Sequence, residues 1–486
     1  MAAAFGFGGC LTIQLPADGL DGGGIAAGGD AGSSTDSDGG GNGGEGGSDA
    51  PTADGTDANV EGDGAVLSTK LGDGHRGALT VDATKKVINA YAAVATAAAA
   101  GATMINVTNA SGFVTGDLVL VVQSAGLSPG PASGDATTID LEAGALGRWE
   151  LARVSGLAGS QLLLSSGLTN PVSGSGAQVV TVPEYTDVNI PAGASLTAQA
   201  WDGRVGGVLA FFASGTVSNV GGIDVSATGF RGGVFKRGGT APCTALDLAP
   251  PSGGQKGEGL VTSSFGDAIG GYGNIANGAG GGNCSQAGGG GGGNGGPGGK
   301  GGSTDGNDRG GRGGVSLTFD PVKRLSLGGG GGAGQGGAAG GTAGGRGGGI
   351  ILIRAAAFGG SGFVRANGES SAQAWGDSSG NAGGGGGGAG GTIQLRVSGA
   401  LACGSVEASG GNGGASNGPN NIGAGPGGGG GGGRVVMQAG TFSCPSVVLA
   451  GAAGVGQDGV SHNGAQPSAG SDPAYMGSAA IMNSAF

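Results

Sequence analysis

Short stretches of alternating apolar and polar residues recur at a fixed step in the C-terminal half of the chain. Ile351-Leu352-Ile353-Arg354-Ala355, Ile393-Gln394-Leu395-Arg396-Val397 and Val435-Val436-Met437-Gln438-Ala439 line up at steps of 42 residues. Val364-Arg365-Ala366, Val406-Glu407-Ala408 and Val448-Leu449-Ala450 keep the same step of 42. Period two marks a strand with one buried face. Ile351, Ile353, Val364 and Ala366 are expected to point inward, and Arg354, Gln394, Arg396 and Gln438 outward. A looser copy lies upstream, where Leu209, Phe211 and Ala213 precede Val225 and Ala227. Strands at a fixed period that bury one face predict the stacked coils of a β-solenoid, taken here as a right-handed β-helix. Equivalent strands would lie about 4.8 Å apart, which sets Arg365 above Glu407.

Glycine tracts at 276–302, 328–349, 380–391 and 423–433 separate these strand pairs. They are either loops thrown from one face or, the reading favoured here, extended polyproline-II-type strands packed side by side. Packed tracts must exchange backbone hydrogen bonds, because an isolated polyproline-II strand has none. Residues 66–183 have ordinary composition. Met104-Ile105-Asn106-Val107, Asp117 to Val122, Trp149 to Val154, Gln161 to Leu164 and Gln178 to Val182 read there as short strands between turns. Only 85–99 reads as a helix, through its alanines. The expected architecture is all-β: a small N-terminal β module over 66–183, then a glycine-rich solenoid over 184–451, with 452–486 as a cap or tail.

Composition sharpens this reading. Of 486 residues, 130 are glycine and 17 proline, 37% are hydrophobic and 11% charged. Glycine falls at no strict third position, which excludes collagen, and ordinary disorder pairs low hydrophobicity with high charge. Residues 1–69 hold 11 of the 33 acidic residues and no Lys or Arg, so almost all of the net charge of −12 sits there. A pI near 4.5 argues against a nucleic-acid partner. No run of 18 apolar residues predicts a membrane-spanning helix.

Residues 1–16 contain Phe7-Gly8-Gly9-Cys10, which resembles the lipobox of bacterial lipoproteins and makes Cys10 the candidate lipid site. The acidic Gly/Ser/Asp segment 17–65 cannot bury enough apolar area to order itself and reads as a solvated tether. Membrane contact would then run only through the lipid. Four cysteines remain. Cys243 and Cys284 are 41 residues apart, as are Cys403 and Cys444. These spacings select two disulfides, each closing a loop worth roughly 4 kcal/mol in the chain-entropy model, and place the chain outside the cytosol.

Chemistry is thin. Gly296-Pro297-Gly298-Gly299-Lys300-Gly301 lacks the hydroxyl residue that a phosphate loop needs after its lysine. His75 and His462, the only two histidines, read as solvated loop residues. Asp305, Asn307 and Asp308 are candidate calcium ligands in a glycine loop. Arg231, Lys236 and Arg237, with Trp201 and Tyr185, are candidates for holding an acidic polysaccharide through charge-assisted bonds and ring stacking. Asp187, Asp202 and Asp224 are too spread for a paired-carboxylate hydrolase. No residue pattern calls for a cofactor.

Leu71-Gly72-Asp73-Gly74, Gly116-Asp117-Leu118-Val119-Leu120, Gly147-Arg148-Trp149-Glu150-Leu151-Ala152, Val182-Pro183-Glu184-Tyr185-Thr186-Asp187-Val188, Gly229-Phe230-Arg231-Gly232-Gly233 and Arg324-Leu325-Ser326-Leu327 before five glycines form an ordered series. It resembles glycine-rich exported proteins of gliding myxobacteria, the adventurous gliding motility family, over roughly residues 66–440. The resemblance implies a surface or envelope role connected with motility and carries no catalytic residues. The expectation is a non-enzymatic scaffold or adhesin on the outer membrane or cell surface, with acidic surface polysaccharide or other envelope proteins as partners. A polysaccharide-acting enzyme on a β-helix and a self-assembling surface protein are the alternatives.

Overall fold

The computed structural model describes residues 71–235, 243–248, 253–262, 270–284, 286–303, 309–336, 340–375, 381–416, 424–456 and 475–476. Cys10, the segment 17–65, Lys236, Arg237, Asp305, Asn307, Asp308 and His462 lie outside these residues, as does most of 452–486. Among the described residues no helix is long and apolar enough to cross a membrane.

Two parallel sheets form the solenoid. One runs, in spatial order, through Leu79–Thr80, Val188–Ile190, Val208–Asn219, Ile350–Gly359, Thr392–Val397 and Arg434–Gln438. The other runs through Lys86–Val87, Ser195–Thr197, Gly222–Asp224, Phe363–Arg365, Ser405–Glu407 and Ser446–Val447. Each coil contributes to both sheets, and Glu184–Tyr185, Ala400–Ala402 and Thr441–Ser443 join the first sheet as additional short strands of their coils. Ile351 pairs with Ile393 and Ile393 with Val435, the expected step of 42. The inward residues Leu209, Phe211, Ile351, Ile353, Val364, Ala366, Ile393, Leu395, Val406 and Met437 share one core. Both disulfides close as the spacing predicts, Cys243–Cys284 and Cys403–Cys444, with Cα–Cα distances of 5.2 and 4.8 Å. Such bonds persist in an oxidising compartment, which marks an exported protein.

Register differs from expectation at the two ends of the repeat. Ile223, not Val225, pairs with Val364, and Val406 pairs with Ser446, not Val448. Both slips are two residues, and a two-residue slip keeps the same faces inward, so alternation alone cannot detect it. Arg365 does pair with Glu407, and its guanidinium donates to both carboxylate oxygens at 2.9 and 3.1 Å. Desolvation opposes this pairing, but the bonds from Arg365, Ser405 and Asn367 still hold the Glu407 carboxyl below its usual range. The pair is partly exposed, so a double-mutant cycle with Arg365→Ala and Glu407→Ala should give a coupling of about 0.5 kcal/mol. A coupling above about 2 kcal/mol would mean a desolvated pair.

The glycine tracts are packed. In the 42-residue repeat the chain runs out along 366–375 and back along the glycine tract at 381–391 before Thr392, and out along 408–416 and back along 424–433 before Arg434, the two runs bonded antiparallel as in Gly391 N to Ala366 O and Gly433 N to Ala408 O. Gly288, Gly289 and Gly290 donate to Gly302, Gly384 and Gly280; Gly291, Gly292 and Gly293 then donate to Gly299, Gly387 and Asn277. Partners recur every third residue, as a helix of three residues per turn requires. The tract 288–293 thus touches three neighbours at once. A Cβ at Gly386 would stand 1.8 Å from the Gly290 carbonyl oxygen, and one at Gly298 would stand 1.8 Å from that of Gly291. The N–H groups of Gly298, Gly299 and Gly301 are likewise spent on Gly314, Gly429 and Gly311, which leaves none for a phosphate.

Three expectations are corrected. First, the β module does not simply precede the solenoid. Leu79–Thr80 pairs with Val188–Ile190 and Lys86–Val87 with Ser195–Thr197, so the first coil comes before the module. The six-stranded antiparallel sheet of Tyr91–Ala93, Ala177–Thr181, Leu118–Gln123, Trp149–Ala158, Gln161–Leu164 and Met104–Asn106 is inserted between the first and second coils. Second, the segment 85–99 is not helical. Lys85 is left-handed at φ 54°, and Tyr91–Ala93 is taken into the sheet by Ala177–Thr181. Third, the outward side chains of the first sheet are not solvated. Arg354, Gln394 and Arg396 are 2%, 0% and 9% exposed. The inserted sheet covers Val208, Ala210, Phe212, Ile350 and Leu352 with Leu118, Leu120, Trp149 and Val180. The chain around 317–327 covers the rest. There Thr392 donates to Ser326 O at 2.7 Å, Gln394 to Pro321 O at 3.0 Å, and the Arg434 guanidinium lies 4.4 Å over Phe319.

Candidate functional site

The loop that enters the first coil carries Gly72-Asp73-Gly74-His75-Arg76-Gly77. Gly72 and Gly74 are left-handed at φ 82° and 68°, and a Cβ on Gly72 would meet Glu184 Cγ at 2.9 Å. The two glycines bend the loop around Asp73 and seat it on the entry to the second coil. There Asp73 N donates to Glu184 Oε1 at 3.2 Å, Arg76 N to Glu184 O at 3.0 Å and Thr186 N to Gly77 O at 2.9 Å. The inserted sheet brings Asp117 and Arg153 to the same place. Six charged or titratable side chains, those of Asp73, His75, Arg76, Asp117, Arg153 and Glu184, therefore converge at the loop.

His75 Nδ1 lies 2.5 Å from Asp73 Oδ1. A carboxylate only accepts, so Nδ1 carries the proton and Nε2 is left for chemistry. Asp73 also accepts from His75 N at 3.0 Å. Burial works against the Asp73 charge, but the two His75 bonds and the Arg153 charge outweigh it and hold the carboxyl below its usual range. The pairing is therefore present above the ordinary carboxylate range and fades as pH falls through the lowered value. Arg153 grips Glu184 through both oxygens, at 2.5 and 3.0 Å. Burial lowers the Arg153 pKa, but the bonds to Glu184 more than restore it. Arg76 Nη2 donates to Asp117 Oδ1 at 2.5 Å. Glu184 and Asp117 have side chains 0% and 4% exposed, whereas His75, Arg76 and Arg153 are 38%, 41% and 30% exposed. Two buried carboxylates thus fix two guanidiniums beside a solvent-facing, oriented imidazole.

Ligand atoms of Asp73, His75 and Glu184 lie within 4.8 Å of one another. The set does not fit a cation. Arg153 occupies both Glu184 oxygens, and its own charge repels a metal ion.

Lys236 and Arg237 of the expected polysaccharide patch lie outside the described residues, and the three described members are each engaged elsewhere. Trp201 is 1% exposed and packs edge-on against Phe230 at 5.7 Å, so it has no face for a sugar. Tyr185 packs against Phe211 of the solenoid core. Arg231 is held by Glu258 through Nε at 2.9 Å and Nη2 at 3.0 Å. Asp187, Asp202 and Asp224 each accept from backbone N–H groups, those of Thr216, Arg204 and Val205, and Ser226. They fix turns and do not face one another as a catalytic pair. A shallow cavity in the inserted sheet, lined by Gln123, Arg148, Trp149, Glu150 and Asn170, holds one further carboxyl. Desolvation pushes Glu150 up despite N–H bonds from Thr169 and Asn170. No second carboxylate lines that cavity.

His75 is the residue that the sequence reading missed. The available signal was the Gly-Asp-Gly-His spacing itself, an aspartate fixed by two glycines and set two residues before the imidazole it orients.

No family model matches the chain, and no curated protein matches it. Solved structures that match are phage tailspikes. The tailspike gp61 of Pseudomonas phage phi297 is 16% identical over 31% of this chain and 24% of its own, with a TM-score of 0.16. The tailspike gp49 of Pseudomonas phage LKA1 is 13% identical over 30% and 33%, with a TM-score of 0.15. The Gp54 tailspike of Acinetobacter baumannii bacteriophage AP22, solved in complex with A. baumannii capsular saccharide, is 10% identical over 75% and 54%, with a TM-score of 0.17. The chain spans between 24% and 54% of the length of these proteins. One expectation is overturned at this point. The sequence points to a non-enzymatic protein, with a polysaccharide-acting enzyme only as an alternative. The fold builds an oriented Asp–His pair where that reading has a solvated histidine. The expectation of a non-enzymatic protein is withdrawn.

Proposed function

We propose that this protein binds and acts on an acidic polysaccharide outside the cell, at the junction of the inserted sheet and the first two coils. The carrying observation is His75, held by Asp73 and flanked by the partly exposed Arg76 and Arg153. Guanidiniums capture an anionic group of the ligand, and an oriented imidazole moves a proton. Stacked coils present an extended surface, which suits an extended polymer better than a small anion. Lipid on Cys10 and the acidic segment 17–65 as tether would hold the protein at the cell surface. The resemblance to the gliding-motility family supports the same placement.

The full chain should be incubated with uronate-bearing, sulfated and neutral polysaccharides, and both co-sedimentation and polymer length followed. Wild-type protein is expected to retain and shorten an acidic polymer. His75→Ala should bind it and shorten it at least about 100-fold more slowly. Neither binding nor shortening of any acidic polymer would overturn the proposal, as would unchanged shortening by His75→Ala.

A further inference from the structure

The junction site constrains the reaction class. Hydrolysis of a glycosidic bond takes a protonated carboxyl as general acid and a second carboxylate on the other side of the bond. None of the three carboxyls at the site can serve as that acid. Asp73 is bound to His75 and held ionised by it and by Arg153. Glu184 is fully buried with both oxygens on Arg153. Asp117 is 4% exposed, accepting from Arg76 through one oxygen and from Val114 N through the other, at 2.8 Å. What faces solvent is the His75 imidazole and Arg76, whose side chain is anchored to Asp117 through Nη2; among the described residues Nε2 and the remaining guanidinium N–H groups of Arg76 have no hydrogen-bond partner.

Resting on the polysaccharide reading above, we infer that the site performs β-elimination on a uronate: His75 Nε2 takes the proton α to the sugar carboxylate, and Arg76 holds that carboxylate. The α proton of a carboxylate is weakly acidic because its removal puts a second negative charge on the same group. A guanidinium paired with the carboxylate stabilises that charge as it develops. The electron pair of the broken C5–H bond becomes the C4=C5 double bond. The C4–O bond breaks, its electrons leave with the glycosidic oxygen, and that oxygen takes a proton from water. The hydroxide so formed is neutralised by the proton that His75 later returns to solvent. Nothing is oxidised or reduced. Asp73 is a positioning residue, since it fixes the ring and its tautomer. Arg153 and Glu184 hold the loop on which both stand.

The test follows the ultraviolet absorbance of the unsaturated uronate together with new reducing ends, using the full chain and a uronate polymer. A carboxyl-reduced sample of the same polymer serves as the control. Elimination predicts that absorbance and reducing ends rise one for one, and that both vanish on the carboxyl-reduced polymer. Arg76→Ala should lower kcat about 100-fold on the uronate polymer, with the fold checked by its unfolding midpoint. Reducing ends without absorbance would show hydrolysis and overturn this inference while leaving the polysaccharide reading in place. Equal cleavage of the carboxyl-reduced polymer would also overturn it. Neither binding nor cleavage of any acidic polymer would overturn both.

Discussion

Gly386→Ala is expected to destabilise the protein by more than about 3 kcal/mol. The added Cβ would stand 1.8 Å from the Gly290 carbonyl oxygen and 2.3 Å from its carbon, both backbone atoms. A clash with a flexible side chain relaxes by rotation, but this one can relax only by moving a tract. Gly290 is itself fixed, donating to Gly280 O and accepting from Gly332 N at 2.8 Å. Gly386 in turn donates to Gly332 O at 2.8 Å. Moving either tract therefore breaks bonds to a third. Gly144→Ala is the control: a Cβ there meets nothing within 4 Å, and its cost should stay within about 0.5 kcal/mol. Denaturant midpoints of the oxidised protein give the comparison. Equal midpoints for the two variants would mean that the tracts are not packed as described.

That clash also explains why the repeat was legible from residues alone. One coil of the repeat holds its strands, an outgoing run and a returning glycine tract, and these last two must match their neighbours in length to keep backbone bonds at every third residue. Length is thereby conserved from coil to coil, and the step of 42 follows. Inward residues such as Ile351 and Val364 were readable for the usual reason, alternation against a buried face. The Cys403–Cys444 disulfide followed from the same step, since equivalent positions in neighbouring coils face each other; Cys243 and Cys284 both lie within one coil, between Asp224 and Ile350, and only their equal spacing marked them.

Other features depend on contacts that no local pattern encodes. The first coil contributes strands of two residues each, too short for any periodicity, so the inserted sheet reads as a preceding domain. Arg354 and Arg396 look solvent-facing because alternation reports only which face a residue takes. Whether that face meets water is decided by the inserted sheet and by the chain at 317–327. The candidate site is the extreme case. Asp73, Asp117, Arg153 and Glu184 are far apart in sequence and meet only because closing the second coil on the first carries the base of the insertion with it.

Glu184→Ala is the second large effect expected, and it should separate holding the site from doing its chemistry. Glu184 has no exposed surface, and it joins Arg153 to the backbone of Asp73. Its loss leaves a cavity and an unneutralised guanidinium. Breaking a buried pair costs about 3–5 kcal/mol, and the lower end applies because Arg153 is 30% exposed and can hydrate. The freed guanidinium has one near alternative, Asp73 Oδ2, already 3.6 Å away. Arg153 should swing to Asp73 and draw it from the imidazole. His75 would then lose the partner that fixes its tautomer, although neither His75 nor Asp73 has been changed. With only two histidines in the chain, ring nitrogen resonances are easily assigned. The expected result is loss of the downfield Nδ1–H signal of His75, together with a fall in any polymer cleavage of about 100-fold. Arg153→Met in the same background should return the Nδ1–H signal without returning the lost stability, because it removes the competitor for Asp73 and not the cavity. If the signal persists in Glu184→Ala, Asp73 holds the ring without help from the buried pair, and the role assigned to Glu184 reduces to packing.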